Sequence, residues 1–335
     1  MFGENYTRRQ IVSGLGTGLA VAVAAPMAMA AESSAPVAVQ QPVPLQDPTT
    51  KYPKPPYPEQ SQPWPGLTSK MNPRPDHGET SYKGSGRLLG RKALITGGDS
   101  GMGRAAAIAY AREGADVAIG YLPAEEQDAQ EVLALIKQAG RKGIGIPGDI
   151  RTEAFCQQLV AQAVQGLGGL DVLVNNAGRQ QTHESILDIT TEQFDWTMKT
   201  NIYAPFWIIK AALPQLPPGS AIIGTASVQA YDPSPDLYDY AQTKAATMNY
   251  IKSLAKQLGP KGIRVNGVAP GPIWTALQVT GGATQEKIKT FGGDTPLGRA
   301  GQPAELASIY VQLAAADASY ANGQIYGANG GKGQP

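Results

Sequence analysis

The chain has 335 residues, 42% of them hydrophobic, so it is long enough to bury a sizeable core as one large domain or two ordinary ones. Its 28 Lys and Arg residues nearly balance its 27 Asp and Glu residues, which excludes a strong electrostatic field for nucleic acid or an anionic membrane. A single cysteine, Cys156, excludes an intrachain disulfide, and with only two histidines beside it we expect no metal site.

Residues 1–30 are predicted to form an export signal. Arg8 and Arg9 stand before an uncharged stretch of about twenty residues, which closes with Ala28-Met29-Ala30. These features are typical of a secretory signal, and the twin arginine resembles a Tat-type signal. A membrane-anchoring helix is the alternative. We expect cleavage, a periplasmic mature chain and no stable membrane span; a signal that does not function would leave the protein in the cytoplasm.

Residues 31–85, the arm, contain twelve of the 27 prolines. Proline fixes φ and removes a hydrogen-bond donor, so we predict an extended segment with polyproline character. Composition alone favours a flexible linker. Four large aromatic side chains favour instead an arm that lies along its own or a neighbouring subunit; they are Tyr52, Tyr57, Trp64 and Tyr82. Both interpretations stay open at this point.

From residue 86 to residue 335, short β-rich runs alternate with stretches of helical periodicity. The predicted strands are Ala93–Thr96, Val117–Tyr121, Ile144–Pro147, Val172–Asn175, Ala221–Thr225, Arg264–Val268 and Gln324–Tyr326. The predicted helices include Arg104–Glu113, Glu125–Ala139 and Thr152–Leu167. This alternation predicts an α/β fold of Rossmann type, a single domain whose doubly wound parallel sheet lies between two layers of helices.

A glycine-rich loop follows the first predicted strand. It reads Thr96-Gly97-Gly98-Asp99-Ser100-Gly101-Met102-Gly103 and leads directly into a helix. Glycine permits a tight turn and lets backbone N–H groups approach a pyrophosphate at the positive end of that helix. No Gly-Lys-Ser/Thr follows, which disfavours a phosphate-hydrolysing P-loop. A simple turn is the alternative, but the position between a first strand and a first helix favours a dinucleotide site.

The ends of the next strands also fit a dinucleotide. Asp149, after the third strand, is placed to bind the adenine amino group, and Asn175–Gly178 lies at the carboxyl edge of the sheet. The second strand ends at Tyr121, with no carboxylate before Glu125. A carboxylate there would bind the ribose hydroxyls and repel a 2′-phosphate. Its absence favours NADP, while NAD stays possible because no basic residue replaces it.

Tyr240 and Lys244 are four residues apart in a stretch with helical apolar spacing, so they share one face of a helix. Ser227 lies thirteen residues upstream, just after a predicted strand, and Asn201 lies further upstream. Tyr240 and Lys244 alone would also fit an ordinary helix with a surface lysine and a half-buried tyrosine. A free phenol is a poor base near neutrality, so a nearby cation is expected to lower its pKa.

The motifs together resemble the short-chain dehydrogenase/reductase family, in the family's order and spacing, across essentially all of residues 86–331. The arm, the Gly98-Asp99-Ser100 variant and the run Pro270–Thr275 resemble a bacterial branch with a proline-rich extension. That branch is commonly described as NADP-dependent aldehyde reductases. Residues 276–295 are similar to the family's mobile substrate lid.

The resemblance implies a role for each catalytic residue. Tyr240 would be the general acid/base, Lys244 would lower its pKa and hold the nicotinamide ribose, Ser227 would donate to the substrate oxygen, and Asn201 would hold a relay water. The implied cofactor-binding residues are Thr96, Gly97, Asp99, Ser100, Gly101, Met102, Gly103, Tyr121, Asp149, Ile150, Asn176, Ala177, Gly178, Tyr240, Lys244, Pro270, Gly271, Ile273 and Thr275.

We therefore expect an NAD(P)-dependent oxidoreductase that moves a hydride between the nicotinamide and a small aldehyde, ketone or alcohol, as an NADP-dependent aldehyde reductase. A sugar or polyol dehydrogenase with a tightly bound nucleotide is one alternative, and a non-catalytic nucleotide-binding scaffold is another. Reduction of an acyl group bound to a carrier protein is a third alternative. An exported enzyme would not meet that carrier protein. The resemblance also implies a homotetramer formed through the helix of Tyr240 and the strand Gln324–Tyr326.

Overall fold

The computed structural model describes residues 45–333. The predicted Tat-type signal, its cleavage site and residues 31–44 of the arm lie outside the described residues and stay predictions. Within residues 45–333, no helix is both long enough and apolar enough to cross a membrane.

Seven strands form one sheet in the described part of the chain. They are β1 (Lys92–Thr96), β2 (Asp116–Tyr121), β3 (Gly143–Pro147), β4 (Val172–Asn175), β5 (Ala221–Thr225), β6 (Arg264–Pro270) and β7 (Ile325–Ala328). Their order is β3-β2-β1-β4-β5-β6-β7, and all neighbours are parallel. This topology confirms the predicted Rossmann-type fold.

Eight α-helices lie in the described residues. They are α1 (Gly101–Arg112), α2 (Glu126–Gln138), α3 (Glu153–Leu167), α4 (Thr191–Met198), α5 (Ala204–Ala212), α6 (Tyr238–Leu258), α7 (Gln285–Lys289) and α8 (Ala304–Ala314). A π-helical turn, Lys199–Tyr203, joins α4 to α5. The three helices predicted by residue range begin and end within three residues of their observed limits.

Strand residues alternate between two hydrophobic cores, one on each face of the sheet. On β1, Ile95 packs in the core that contains α1 and α8, whereas Leu94 packs in the core that contains α3, α5 and α6. On β5, Ile223 and Ile222 divide in the same way. Because the five inner strands, β1, β2, β4, β5 and β6, are buried on both faces, they read as short continuous apolar runs in the sequence.

The last strand differs from its predicted range, Gln324–Tyr326. β7 begins at Ile325 and continues to Ala328, which pairs with Pro270 of β6. Glycine and alanine have low strand propensity, so a sequence pattern stops at Tyr326. Pairing with β6 extends the strand through Gly327 and Ala328 despite their low strand propensity.

The strand order reverses between β1 and β4, and ligands of such sheets bind beside this point at the carboxyl edge. β1 ends there at Thr96, β4 at Asn175, β5 at Thr225 and β6 at Pro270. The fold therefore brings the predicted site residues, which follow these strands, to one edge of the sheet.

The described part of the arm packs against its own domain. Tyr57 stacks on Trp274 with ring centroids 4.4 Å apart and the planes inclined by 20°. Trp274 Nε1 donates a hydrogen bond to Pro73 O at 2.8 Å, and Tyr82 Oη donates to Glu113 Oε1 at 2.6 Å. The aromatic residues that favoured a docked arm thus make contacts within the same chain, as a free linker would not.

Candidate active site

The glycine loop between β1 and α1 is packed so closely that side chains do not fit. A Cβ on Gly103 would lie 2.0 Å from Gly97 O, and a Cβ on Gly98 would lie 2.4 Å from Ile119 Cγ2. The loop therefore presents bare backbone at the start of α1, where unpaired N–H groups and the helix dipole attract anions. This cradle fits the pyrophosphate of a dinucleotide.

A narrow cavity of about 130 Å³ lies beside the loop. The predicted cofactor-binding residues that line it are Gly97, Asp99, Ser100, Gly101, Met102, Tyr121, Asp149, Ile150, Asn176, Ala177, Gly178 and Thr275. We call this cavity the adenosine end, because Asp149, predicted to bind the adenine amino group, lines it.

Asp149 has a partner that the sequence did not reveal. Its carboxylate accepts hydrogen bonds from Arg151 Nε at 2.8 Å and from the Arg151 backbone N–H at 2.9 Å. Burial opposes ionisation of Asp149, but these bonds and the charge of Arg151 lower its pKa below the ordinary value. Binding of the adenine amino group by Asp149 stays a prediction.

Two predicted cofactor residues, Thr96 and Gly103, line neither the adenosine end nor the larger cleft beside it. Thr96 Oγ1 accepts hydrogen bonds from the backbone N–H groups of Asn176 at 3.0 Å and Ala177 at 3.1 Å, which fixes β4 beside β1. Gly103 provides the close approach of α1 to Gly97 described above. Both residues shape the loop.

A larger cleft of about 1010 Å³ continues from the loop. It contains Ser227, Tyr240 and Lys244, which the fold brings together from β5 and α6. Lys244 Nζ lies 5.4 Å from the centroid of the Tyr240 ring and donates a hydrogen bond to Thr225 O at 2.7 Å. The other predicted residues that line this cleft are Met102, Asn176, Gly178, Pro270, Gly271, Ile273 and Thr275.

Burial controls the ionisation of the catalytic pair. Burial raises the pKa of Tyr240 to about 12, although a hydrogen bond with Ser227 acts in the opposite direction. Burial lowers the pKa of Lys244 to about 8. Lys244 was expected to lower the pKa of Tyr240, but the pKa is raised instead, because the phenol is removed from water. Tyr240 thus carries its proton near neutral pH, as an acid in carbonyl reduction must.

Asn201 lies in the π-helical turn and does not line the cleft. Its side-chain oxygen accepts from Arg179 N at 2.8 Å, and its amide nitrogen donates to Arg179 O at 2.9 Å and to Thr243 Oγ1 at 3.0 Å. The side chain therefore ties the segment after β4 to α6, the helix of Tyr240. A relay water held by Asn201 stays a prediction.

Several lining residues were not predicted from the sequence. Four come from the arm: Pro55 and Pro56 in the large cleft, and Trp64 and Pro65 at the adenosine end. The sequence signal was the presence of aromatic residues in a proline-rich segment, which favoured a docked arm, left a flexible linker open and gave no position for the arm.

The lysines at the outer end of the large cleft are paired with acids. Lys287 Nζ lies 2.6 Å from Asp236 Oδ2, Lys289 pairs with Glu59, and Lys332 pairs with Asp294. Among the described residues that line the cleft, Lys244 is the cation without an acidic partner. This charge balance favours an uncharged substrate. Within residues 45–333, no three His, Cys, Asp or Glu side chains are grouped to hold a metal ion.

Comparison with known proteins agrees with this geometry. A family model described as "Enoyl-(Acyl carrier protein) reductase" matches residues 97–332. The chain is 58% identical over 288 residues to the "uncharacterized oxidoreductase YghA" of Escherichia coli (strain K12), covering 86% of this chain and 98% of that protein. It is 42% identical over 282 residues to glucose and ribitol dehydrogenase of Daucus carota, covering 83% and 96%.

Two further similarities concern the cofactor. The chain is 43% identical over 273 residues to NADPH-dependent aldehyde reductase 1, chloroplastic, of Arabidopsis thaliana, covering 80% of this chain and 94% of that protein. A crystal structure of a short chain dehydrogenase from Burkholderia cenocepacia J2315 in complex with NADP is 34% identical, with a TM-score of 0.68, and covers 73% of this chain and 98% of that one. The chain belongs to the short-chain dehydrogenase/reductase family and is an oxidoreductase of that type.

Replacing the catalytic phenol tests the assignment of Tyr240. Tyr240→Phe removes one oxygen and is expected to lower kcat by roughly 10²–10⁴-fold, because the proton donor is lost. Nucleotide affinity, measured by fluorescence titration, is expected to stay within about threefold of wild type, since packing is retained. Tyr238→Phe is the matched control: Tyr238 lies on the same helix but is 46% exposed. Wild-type turnover by Tyr240→Phe would refute the assignment.

The pKa of Lys244 predicts how nucleotide binding depends on pH. As pH rises through about 8, Lys244 becomes neutral and would lose the charge-assisted hydrogen bond to the nucleotide ribose that the family resemblance predicts. The Kd for NADH, which carries no 2′-phosphate, is expected to be constant below that range and to increase roughly tenfold above it. Lys244→Met should bind weakly at every pH and lack this step. A wild-type Kd that does not change between about pH 7 and 9.5 would contradict the role of Lys244.

Proposed function

We propose that this short-chain dehydrogenase/reductase reduces small, uncharged aldehydes with NADPH. The observation that carries the proposal is the cleft in which Ser227, Tyr240 and Lys244 lie together beside a cradle of glycines, with the outer lysines neutralised by acids. The likeness to an NADPH-dependent aldehyde reductase supports the substrate class.

The residues of the cleft would bind the carbonyl group and supply its proton. A nicotinamide bound in this cleft would supply the hydride that the carbonyl carbon accepts. Ser227 donates a hydrogen bond to the carbonyl oxygen, where negative charge develops as the π electrons move to it. Tyr240 gives its proton to this oxygen, and the charge of Lys244 stabilises the phenolate that is left. An alcohol is the product, and the reverse sequence oxidises it.

The adenosine end supports NADP rather than NAD. Asp99 and Glu125 line this cavity, and burial raises the pKa of both carboxyl groups well above their ordinary range. The negative charge of Asp99 raises the pKa of Glu125 further. A protonated carboxyl group is neutral and does not repel a 2′-phosphate. The NADP complex of the similar Burkholderia enzyme supports the same preference.

A sugar or polyol dehydrogenase is the second candidate. The outer part of the cleft has polar side chains that suit a substrate with several hydroxyl groups; they include Gln180, Gln229, Ser234, Asp236 and Gln278. The likeness to a glucose and ribitol dehydrogenase favours the same class. The same catalytic residues serve, with Tyr240 accepting the proton of the alcohol.

A panel of aldehydes, ketones, sugars and polyols, assayed with NADPH or NADH and their oxidised forms, tests both candidates. The highest kcat/KM is expected for a small uncharged aldehyde with NADPH. The preference for NADPH is expected to narrow as pH rises through about 7 and then about 9, because Asp99 and then Glu125 ionise and repel the 2′-phosphate. Asp99→Asn should keep more of the preference than wild type at about pH 8, where Glu125 is still mostly protonated. A higher kcat/KM for sugars or polyols would select the second candidate.

We also propose that the chain forms a homotetramer. Tyr203 and Phe206, at the start of α5, are 47% and 60% exposed, and β7 is the edge strand of the described sheet. Exposed aromatic side chains and an open strand edge are features that a second copy of the chain would cover. Light scattering is expected to give the mass of four chains, and Phe206→Glu to give a smaller one. A wild-type monomer at micromolar concentration would rule the tetramer out.

A further inference from the structure

The arm contributes residues to both ends of the candidate active site. None of the predicted catalytic residues belongs to the arm. Pro55 and Pro56 line the large cleft that contains Tyr240. Trp64 and Pro65 line the adenosine end, across from the glycine loop. One segment of about ten residues thus spans the whole length of the nucleotide cleft.

Between these two points the arm is hydrogen-bonded to the lid, residues 276–295. The backbone N–H of Tyr57 donates to Lys289 O at 2.9 Å, and that of Gln62 donates to Val279 O at 2.9 Å. Gln285 Nε2 donates to an arm carbonyl at 3.0 Å. The arm therefore fastens the lid at three places along its length.

The packing between arm and lid is also tight. Gly66 is buried with a φ of +79°, and a Cβ there would lie 2.4 Å from Thr280 Cγ2 of the lid. Tyr57 covers Trp274, which is fully buried and precedes the predicted cofactor-binding residue Thr275. Movement of the lid away from the cleft must therefore separate it from the arm.

Trp64 is held in place at the adenosine end by a group of domain side chains. Its ring meets the ring of Trp196 edge to face, with centroids 5.2 Å apart. The guanidinium groups of Arg179 and Arg151 lie 4.1 Å and 4.4 Å from the Trp196 ring centroid. Such cation–π contacts fix the orientation of Trp196 and so of the arm residue that packs on it. Trp64 and Trp196 both line the adenosine end, whose cavity is only about 130 Å³.

We propose that the arm retains the nucleotide: Trp64 and Pro65 close the adenosine end, while the bonds from the arm to the lid hold the nicotinamide end closed. The proposal rests on the proposed function, namely that a nicotinamide dinucleotide binds in this cleft. Release of the nucleotide then requires the arm to leave the lid and Trp64 to leave Trp196. The nucleotide dissociates slowly and stays with the protein through successive turnovers.

The test measures the rate of nucleotide dissociation from the full chain. Protein loaded with NADPH is mixed with excess NADP⁺ in a stopped-flow instrument, and the loss of bound-NADPH fluorescence is followed. Trp64→Ala is expected to release NADPH about tenfold faster or more, the effect of losing an aromatic contact with a base, and Trp64→Phe to restore most of the retention. Lys54→Ala, at an exposed arm position, is the matched control with wild-type release.

A second variant lifts the arm at a different point. In Gly66→Val the new side chain collides with Thr280, so faster release is expected although Trp64 is intact. Thermal unfolding of each variant checks that the domain is folded. Wild-type release rates in both Trp64→Ala and Gly66→Val would overturn the retention role and leave the proposed function standing. A wild-type protein that binds neither NADPH nor NADH would instead overturn the proposed function itself.

Discussion

A chain of hydrogen bonds across the carboxyl edge of the sheet is the interaction on which the rest of the site depends. Asn176 Nδ2 donates to Gly97 O at 3.2 Å, and Asn176 Oδ1 accepts from Thr225 Oγ1 at 3.3 Å. Thr225 O in turn accepts from Lys244 Nζ at 2.7 Å. The glycine loop, β4, β5 and α6 are thereby joined through four residues. The spacing of parallel strands, about 4.8 Å, then sets the distance from the glycine loop to Lys244.

The partner of Lys244 matters as much as its position. A buried lysine is usually paired with a carboxylate, which would raise its pKa and cancel its field. Here the partner is a backbone carbonyl, which satisfies one donor but carries no net charge. The positive charge of Lys244 therefore stays available to the Tyr240 phenol and to a bound ribose. The fold accepts a buried cation whose pKa is lowered, a local cost to stability of the kind found at functional sites.

Local patterns predicted the sheet and the proximity of Tyr240 and Lys244 because both depend on residues close in sequence. Strands such as β5 are continuous apolar runs, and Tyr240 and Lys244 share a helix face through their spacing alone. The ionisation of that pair could not be predicted, because burial is set by distant segments. The bonds of Asn201 to Arg179 and Thr243 escaped prediction for the same reason, since its partners lie 22 and 42 residues away.

The arm is rich in proline and has no periodic sequence pattern, so its path could not be predicted. The same proline content explains how the arm docks. An extended proline-rich segment makes no regular internal hydrogen bonds, so its remaining N–H and C=O groups are free to bond the domain, as the backbone of Tyr57, Gln62 and Pro73 does. Proline also restricts the free chain, so less conformational entropy is lost when the arm is ordered on the surface. A segment of this composition can hold a lid with few bonds. A glycine-rich arm of equal length would need more contacts to reach the same occupancy.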